Sequence, residues 1–246
     1  MSDEILVKRL GIIPYLEAWE LQKELAEQRR KGEIPDVLLL LEHPPTYTRG
    51  RRSKPEELSM GIEWYEAQGI EVHDTDRGGL VTYHGPGQLV AYPIVDLRAY
   101  DNDVHAYVRG LEQVIIATLA DVGVPAQTIE GLTGVWTMGD PPPTISSTPA
   151  RKIASIGLHV SRGITTHGLA INVNNDLQPF EWIVPCGIQE VTITSLAREG
   201  LEQHTADSFS KGLLGVYVNH FERVIDHRHR PDHAACQSKP TAPSGR

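Results

Sequence analysis

Apolar residues recur along this chain in three rhythms, and each predicts a different element. A continuous run, Val37 to Leu41 between Pro35 and Pro44, is too short for most helices. It predicts a central strand over 36–42 covered on both faces, ended by His43-Pro44-Pro45. Alternation at Ile156, Leu158 and Val160, then at Leu169, Ile171 and Val173 beyond a turn near Arg162-Gly163, predicts a hairpin. Steps of four and three through Val104, Val108, Leu111, Ile115, Leu119 and Val122 make the clearest amphipathic helix, with Gly123 as its stop. Weaker patterns predict a strand over 4–10, a helix from Pro14 to Lys31, a short helix from Trp64 to Gln68 and a final helix from Thr205 to Val224. Short strands are expected at Val72 to Asp76 and Leu132 to Trp136, and a pair around Val81-Tyr83 and Leu89 to Val95 is joined by His84-Gly85-Pro86-Gly87. No repeat or internal linker interrupts residues 1–226, which predicts a single α+β domain with a mixed, largely antiparallel sheet flanked by helices. The four prolines of 139–149 predict a surface loop, and residues 227–246 lack any apolar period and are expected to be a disordered tail.

Composition changes this picture little. The 246 residues are 40% apolar and 22% charged, enough for a core. Lys and Arg total 23 against 32 Asp and Glu, so the net charge of −9 argues against nucleic acid as the partner. The local cluster Arg49, Arg51, Arg52 and Lys54 reads as a solvated loop. Two cysteines, Cys186 and Cys236, make a disulfide framework improbable, and the first residues lack the layout of a signal peptide. No apolar run approaches a membrane span, so a cytoplasmic protein is expected.

Candidate chemistry concentrates in two places. The stretch Arg77 to Gln88, R-G-G-L-V-T-Y-H-G-P-G-Q, carries four glycines between Arg77 and His84 or just beyond, which suits either a ligand cradle or a hairpin with glycine turns. Cys186, in V-P-C-G, is either an inert small residue or a nucleophile at a tight turn. A thiolate needs a cationic or basic neighbour, and Lys152, His159 and His167 are the candidates in the same half of the chain. Lys152 taken alone reads as a solvated edge residue. His167 shares parity with Leu169, Ile171 and Val173, which predicts a satisfied, partly buried histidine. His227, His229, His233 and Cys236 hold zinc-like ingredients without a second cysteine, so no metal site is expected. Neither a Walker A sequence nor G-x-G-x-x-G occurs, so no nucleotide cofactor is expected either.

With those residues in view the chain resembles the lipoyl(octanoyl) transferases, the lipoate-protein ligase B family within the biotin and lipoate ligase superfamily. The resemblance rests on L-L-E-H-P-P-T-Y-T-R-G at 40–50, R-G-G-L-V-T-Y-H-G-P-G-Q at 77–88, Y-P-I at 92–94, R-K-I-A-S-I-G at 151–157, T-H-G-L-A-I-N-V at 166–173 and V-P-C-G-I at 184–188. These blocks stand in family order. The 139–149 loop, directly before Lys152, departs from the pattern as an insertion, and the tail after 226 lies outside it.

The resemblance implies the biotin/lipoate ligase catalytic fold and an enzyme that moves an octanoyl group from octanoyl-acyl carrier protein to a lysine of lipoyl domains in 2-oxoacid dehydrogenases or the glycine cleavage H protein. It implies Cys186 as the acyl-thioester nucleophile and Lys152 as its dyad partner. Substrate would be bound by Arg77, Gly78, Gly79, Leu80, Val81, Thr82, Tyr83 and His84, with Ser155, Ile156, Gly157, Gly168, Leu169 and Ala170. No metal or cofactor and no membrane are implied, and a monomer is expected. The chemistry fits the residue types: thioester exchange is nearly balanced, and thioester-to-amide transfer runs downhill without ATP. Burial at about 0.8 kcal/mol per methylene would supply a chain-length preference, and Gly79 and Gly85 would fit the wall of an acyl tunnel. Three other readings are an ATP-dependent lipoate or biotin ligase, which has no use for a nucleophilic cysteine, a noncatalytic carrier-binding module and a cysteine hydrolase.

Overall fold

The computed structural model describes residues 5–138, 150–183 and 192–229, with the backbone alone for 222–229. Cys186, Gly187, the 139–149 loop and most of the expected tail lie outside the described residues. In chain order the elements are β1 (Ile5–Ile12), α1 (Tyr15–Lys31), β2 (Asp36–Glu42), β3 (Thr46–Arg49), α2 (Ile62–Ala67), β4 (Glu71–Asp74), β5 (Thr82–His84) and β6 (Gln88–Ile94). Then follow α3 (Val104–Asp121), β7 (Ala126–Ile129), β8 (Leu132–Thr137), β9 (Arg151–Ser161), β10 (Ile164–Asn172), β11 (Thr192–Ile193) and α4 (Ala206–His229).

The main sheet has the order β1-β2-β6-β10-β9-β8-β7, with β11 paired to β9. The β1–β2 and β11–β9 pairs are parallel and the others antiparallel, so the sheet is mixed and largely antiparallel. Because side chains alternate across a strand, the apolar run of β2 feeds two cores. Leu38 and Leu40 join Leu111 and Ile115 of α3 and Phe209 and Leu213 of α4. Val37, Leu39 and Leu41 join Ala18 and Leu25 of α1 on the other face. Burying each such side chain contributes about 1.5–3 kcal/mol, so this one strand ties both helical layers to the sheet.

Local signals explain the element ends. Asp103 caps α3 by accepting from the Ala106 N–H at 2.8 Å, and Gly123, at φ +86°, closes it with the Val124 N–H on Leu119 O. Arg162 and Gly163, at φ +52° and +85°, make the two-residue turn between β9 and β10.

The structure differs from expectation at the glycine-bearing turn. β5 and β6 do not form a hairpin: β5 pairs with β3 in a second sheet of order β4-β3-β5, while β6 enters the main sheet. The turn at 85–87 therefore passes the chain between sheets. Its Gly87 N–H donates to Glu42 Oε2 at 2.6 Å, which fixes the crossing to the end of β2. The small sheet has its own core, in which Tyr47, Tyr65, Tyr83 and Phe180 pack together.

Candidate active site

One cavity of about 350 Å³ lies where the β9–β10 ladder meets the stretch that follows β4. The ladder pairs Leu158 with His167, Gly157 with Gly168, Ile156 with Leu169 and Ser155 with Ala170, and all eight residues line the cavity. Arg77, Gly78, Gly79, Leu80, Val81, Thr82 and His84 line it too, as does Lys152. Tyr83, placed by parity on the other side of β5, packs instead against Tyr47 and Phe180 at 5.4 and 5.5 Å. Burial raises its phenol to about 12. Of the residues implied by the resemblance, Tyr83 alone among the described ones sits away from the cavity.

The wall 77–82 is tied down at several points. The Gly78 N–H donates to Leu158 O at 2.9 Å, and the Val81 N–H donates to the buried Glu57 Oε2 at 3.0 Å. From outside, the Arg51 and Arg52 N–H groups donate to Arg77 O and Gly79 O. Arg77 is itself buried, its guanidinium donating to Thr48 Oγ1 at 2.9 Å and to Gly78 O at 2.9 Å. With the amides of Gly78 and Val81 committed, those of Gly79 and Leu80 are left without an acceptor among the described residues.

Gly79 sits at φ +90°, and a Cβ there would meet only Arg77 Nη1, at 3.4 Å. Gly85 is different. A Cβ on it would lie 2.4 Å from Tyr83 Oη, and Gly85 is not among the lining residues. The expectation that both glycines form the wall is therefore corrected: Gly79 does, whereas Gly85 is a packing position beneath a tyrosine.

Lys152 is buried, 5% exposed, with its ammonium 5.2 Å from the centre of the Trp136 ring. That replaces the solvated edge lysine suggested by its sequence surroundings. Space for its chain comes from Gly134, where a Cβ would lie 2.8 Å from Lys152 Cε. β11 runs beside it, pairing Thr192 with Arg151 and Ile193 with Lys152. The Thr194 N–H then donates to Lys152 O at 2.9 Å. Arg151 holds this corner through a bidentate pair with Glu199, which also accepts from Thr194 Oγ1.

At the opposite end of the ladder a polar cluster surrounds Asp76. His167, 2% exposed, donates from Nε2 to Asp76 at 2.7 Å and accepts at Nδ1 from the Tyr15 hydroxyl at 3.3 Å. His159 approaches the same carboxylate at 3.5 Å. Chiefly through the His167 hydrogen bond, Asp76 is held down at about 2. Burial lowers His167 against the pull of Asp76, and burial lowers His43 to about 4. His43 is thus neutral, donating from Nδ1 to Ile13 O and accepting at Nε2 from the Tyr92 hydroxyl.

His167 is satisfied as expected, but its face is not the expected one. At φ +56° it leaves the extended conformation, and its ring lies by Tyr15 and Trp19 of α1 instead of on the side of Leu169 and Ile171. The buried Gln22 holds this conformation by accepting the His167 N–H at 2.6 Å.

Sequence reasoning missed Tyr15, Tyr92, Trp136, His105 and, at the start of β8, Gly131, Leu132 and Thr133, which also line the cavity. Tyr92 carries a weak signal as a tyrosine inside an apolar strand, and the others carry none. Among the described residues no group of three or more His, Cys, Asp or Glu could hold a metal ion. No helix among them is long and apolar enough to cross a membrane.

Comparison with known proteins bears on this site. The model of the lipoyl protein ligase A/B catalytic domain matches residues 14–217. An octanoyltransferase of Chloroflexus aggregans is 50% identical over 196 residues, covering 79% of this chain and 85% of that protein. One of Acidobacterium capsulatum is 47% identical over 226 residues, covering 89% of each. Among solved structures, a bi-partite lipoate protein ligase from Thermoplasma acidophilum superimposes with a TM-score of 0.66 at 15% identity, over 92% of this chain and 91% of that one. A lipoate-protein ligase A bound with ATP gives 0.63 at 14%, over 93% and 94%, and at such identities the likeness concerns the fold alone. The chain belongs to the lipoyl protein ligase A/B catalytic domain family.

Proposed function

We propose that this chain is an octanoyltransferase that takes an octanoyl group from the pantetheine thioester of acyl carrier protein, holds it as a thioester on Cys186 and passes it to a lysine amine of a lipoyl domain. The observation that carries this reading is the cavity itself: the glycine wall, the two ladder segments and buried Lys152 line one space. Relatives at 44–50% identity that bear the name octanoyltransferase support the same reading, whereas the likeness to ATP-dependent ligases is one of fold.

Cys186 stands 192 − 186 = 6 residues before Thr192, which pairs with Arg151 beside Lys152. In this reading that short tether supports an encounter between thiol and ammonium. The lysine ammonium favours the thiolate by charge, and the thiolate attacks the donor carbonyl carbon. The C–S bond to pantetheine breaks, and the departing thiolate takes a proton from Lys152. In the second half the acceptor amine forms its C–N bond as the Cys186 C–S bond breaks. One amine proton then ends, through Lys152, on the cysteine sulfur, so no nucleotide or metal is required. The uncommitted amides of Gly79 and Leu80 are the wall's available donors for a tetrahedral oxyanion, each such donor being worth about 3 kcal/mol of barrier.

Intact-mass measurement after mixing with octanoyl-acyl carrier protein, without ATP, tests the reading. Wild type gains one octanoyl group that hydroxylamine removes, and Cys186→Ser and Lys152→Ala do not. Transfer that requires ATP, or a wild type that never acquires the adduct, overturns it.

A further inference from the structure

His84 lines the cavity yet has no place in the two-residue chemistry above, and its hydrogen bonds determine what its ring presents. A backbone carbonyl oxygen can only accept. Thr194 O takes a hydrogen bond from Asn172 Nδ2 at 3.0 Å, so Asn172 Oδ1 faces the other way. There it accepts from Gln88 Nε2 at 2.9 Å, and the same Nε2 donates to Tyr83 O at 3.1 Å. Both amide orientations are thereby set, and Gln88 Oε1 must be what meets His84 Nδ1, at 2.7 Å. An amide oxygen cannot donate, so the proton lies on Nδ1. Burial, reinforced by His43 nearby, holds the ring's pKa well below the usual histidine value, so it stays neutral. Nε2 is then a bare lone pair, with no hydrogen-bond partner among the described residues.

The relay holds the Nδ1 side of the ring, and His84 and Lys152 line the same cavity. Asn172 follows Ile171, which pairs with Ala154, so it stands at the Lys152 end of the ladder. Thr194, where the relay ends, donates its N–H to Lys152 O at 2.9 Å. The ring itself is clamped by Tyr15, stacked at 6.1 Å, and by the edge of His43 at 5.6 Å. A histidine fixed in this tautomer cannot donate to an oxyanion; it can only accept.

Resting on the octanoyl-transfer reading, we propose that His84 Nε2 accepts a hydrogen bond from the attacking lysine amine and so turns the nitrogen lone pair toward the thioester carbonyl carbon. The amine nitrogen forms the new bond to that carbon and the carbon–sulfur bond breaks; the N–H held by His84 remains as the amide N–H, while the amine's other proton leaves by way of Lys152 to the cysteine sulfur. His84 thus ends each cycle as the same neutral tautomer. The donor half-reaction brings a thioester with no amine to orient, so His84 serves the acceptor half selectively.

Two measurements test this on the full chain. Long-range proton–nitrogen correlation spectra of the histidine rings report the tautomer directly in wild type, and the expected result is a protonated Nδ1 with an unprotonated Nε2 near neutral pH. The opposite tautomer, or a charged ring, overturns the proposal whatever the enzyme transfers. Second, the acyl-enzyme and the acylated lipoyl domain are followed separately in single turnovers of His84→Leu and His84→Gln, each first shown to be folded by circular dichroism. Loss of one hydrogen bond to the reacting amine predicts that His84→Leu slows the acceptor half roughly tenfold more than the donor half. His84→Gln, which keeps an acceptor, should recover part of that difference. Equal effects on both halves, or none on either, overturn the proposal. A wild type that never forms the acyl-enzyme would instead refute the transfer reading and leave the tautomer to the spectra.

Discussion

Replacing Gly79 and Gly85 in turn by alanine separates a cavity wall from a packing position six residues further along the chain. At Gly79 the φ of +90° is unfavourable for any L side chain, which costs about 1–3 kcal/mol, while the added methyl meets nothing closer than Arg77 Nη1 at 3.4 Å. The fold therefore survives with a melting temperature lowered by roughly 2–10 °C. The methyl itself stands on the lining of a 350 Å³ space, where overfilling against a bound chain costs about 1–3 kcal/mol. Since about 1.4 kcal/mol is tenfold, transfer per folded molecule should drop by roughly tenfold or more. At Gly85 the backbone is unstrained, but the methyl would lie 2.4 Å from Tyr83 Oη and 2.8 Å from its Cζ. That ring is pinned by Tyr47 and Phe180, so the clash costs about 1–3 kcal/mol of stability with little direct effect on the cavity. The assay is differential scanning calorimetry beside octanoyl transfer to a lipoyl domain, normalised to folded protein. If Gly85→Ala reduced normalised transfer as much as Gly79→Ala, the assignment of these two glycines would be wrong.

The same structure yields predictions of other kinds. Glu57→Ala leaves the buried Val81 N–H without its acceptor, so urea denaturation should give a loss of about 1–3 kcal/mol, and a value near zero would mean the wall needs no such anchor. Asp76 carries a depressed folded-state pKa of about 2, so its contribution is complete above the unfolded value near 4 and fades as pH falls toward 2. With its side chain 38% exposed, screening reduces that contribution to about 1 kcal/mol. Asp76→Asn should therefore be less stable than wild type at pH 7 by about that amount, with the gap closing toward pH 2; a gap that widened on acidification would contradict the sign. Glu199→Gln should loosen the Arg151–Thr194 corner beside Lys152, slowing acyl-enzyme formation more than it lowers the melting temperature would suggest, as read by stopped-flow burst size and calorimetry together.

What the sequence made legible was what neighbours along the chain decide. The β2 run, the α3 period and the β9–β10 alternation each follow from burial repeated at fixed spacing, and the structure has all three within one or two residues. Strand β7 escaped because its four residues, A-Q-T-I, are only partly buried and have no rhythm of their own. The separation of β5 from β6 escaped for another reason. Two short strands around glycines satisfy hairpin chemistry locally, and only pairing with β3, some 35 residues earlier in the chain, decides otherwise.

The site divides along the same line. Glycine stretches and a cysteine–lysine pair are visible as residue types, and their motifs carried the family. What they touch was not visible, because Tyr15 and His167, or Trp136 and Lys152, meet across a fold that no local spacing encodes. His167 makes the physical point most clearly. Parity places it with Leu169 only while every residue between them keeps an extended φ, and one left-handed residue, held by a glutamine 145 positions away, moves the ring to the other face. The tautomer of His84 is of the same kind. Its lone pair is fixed by two amides and a carbonyl drawn from β6, β10 and the chain after β11, so the sequence could name the histidine while only the assembled fold could say that it accepts.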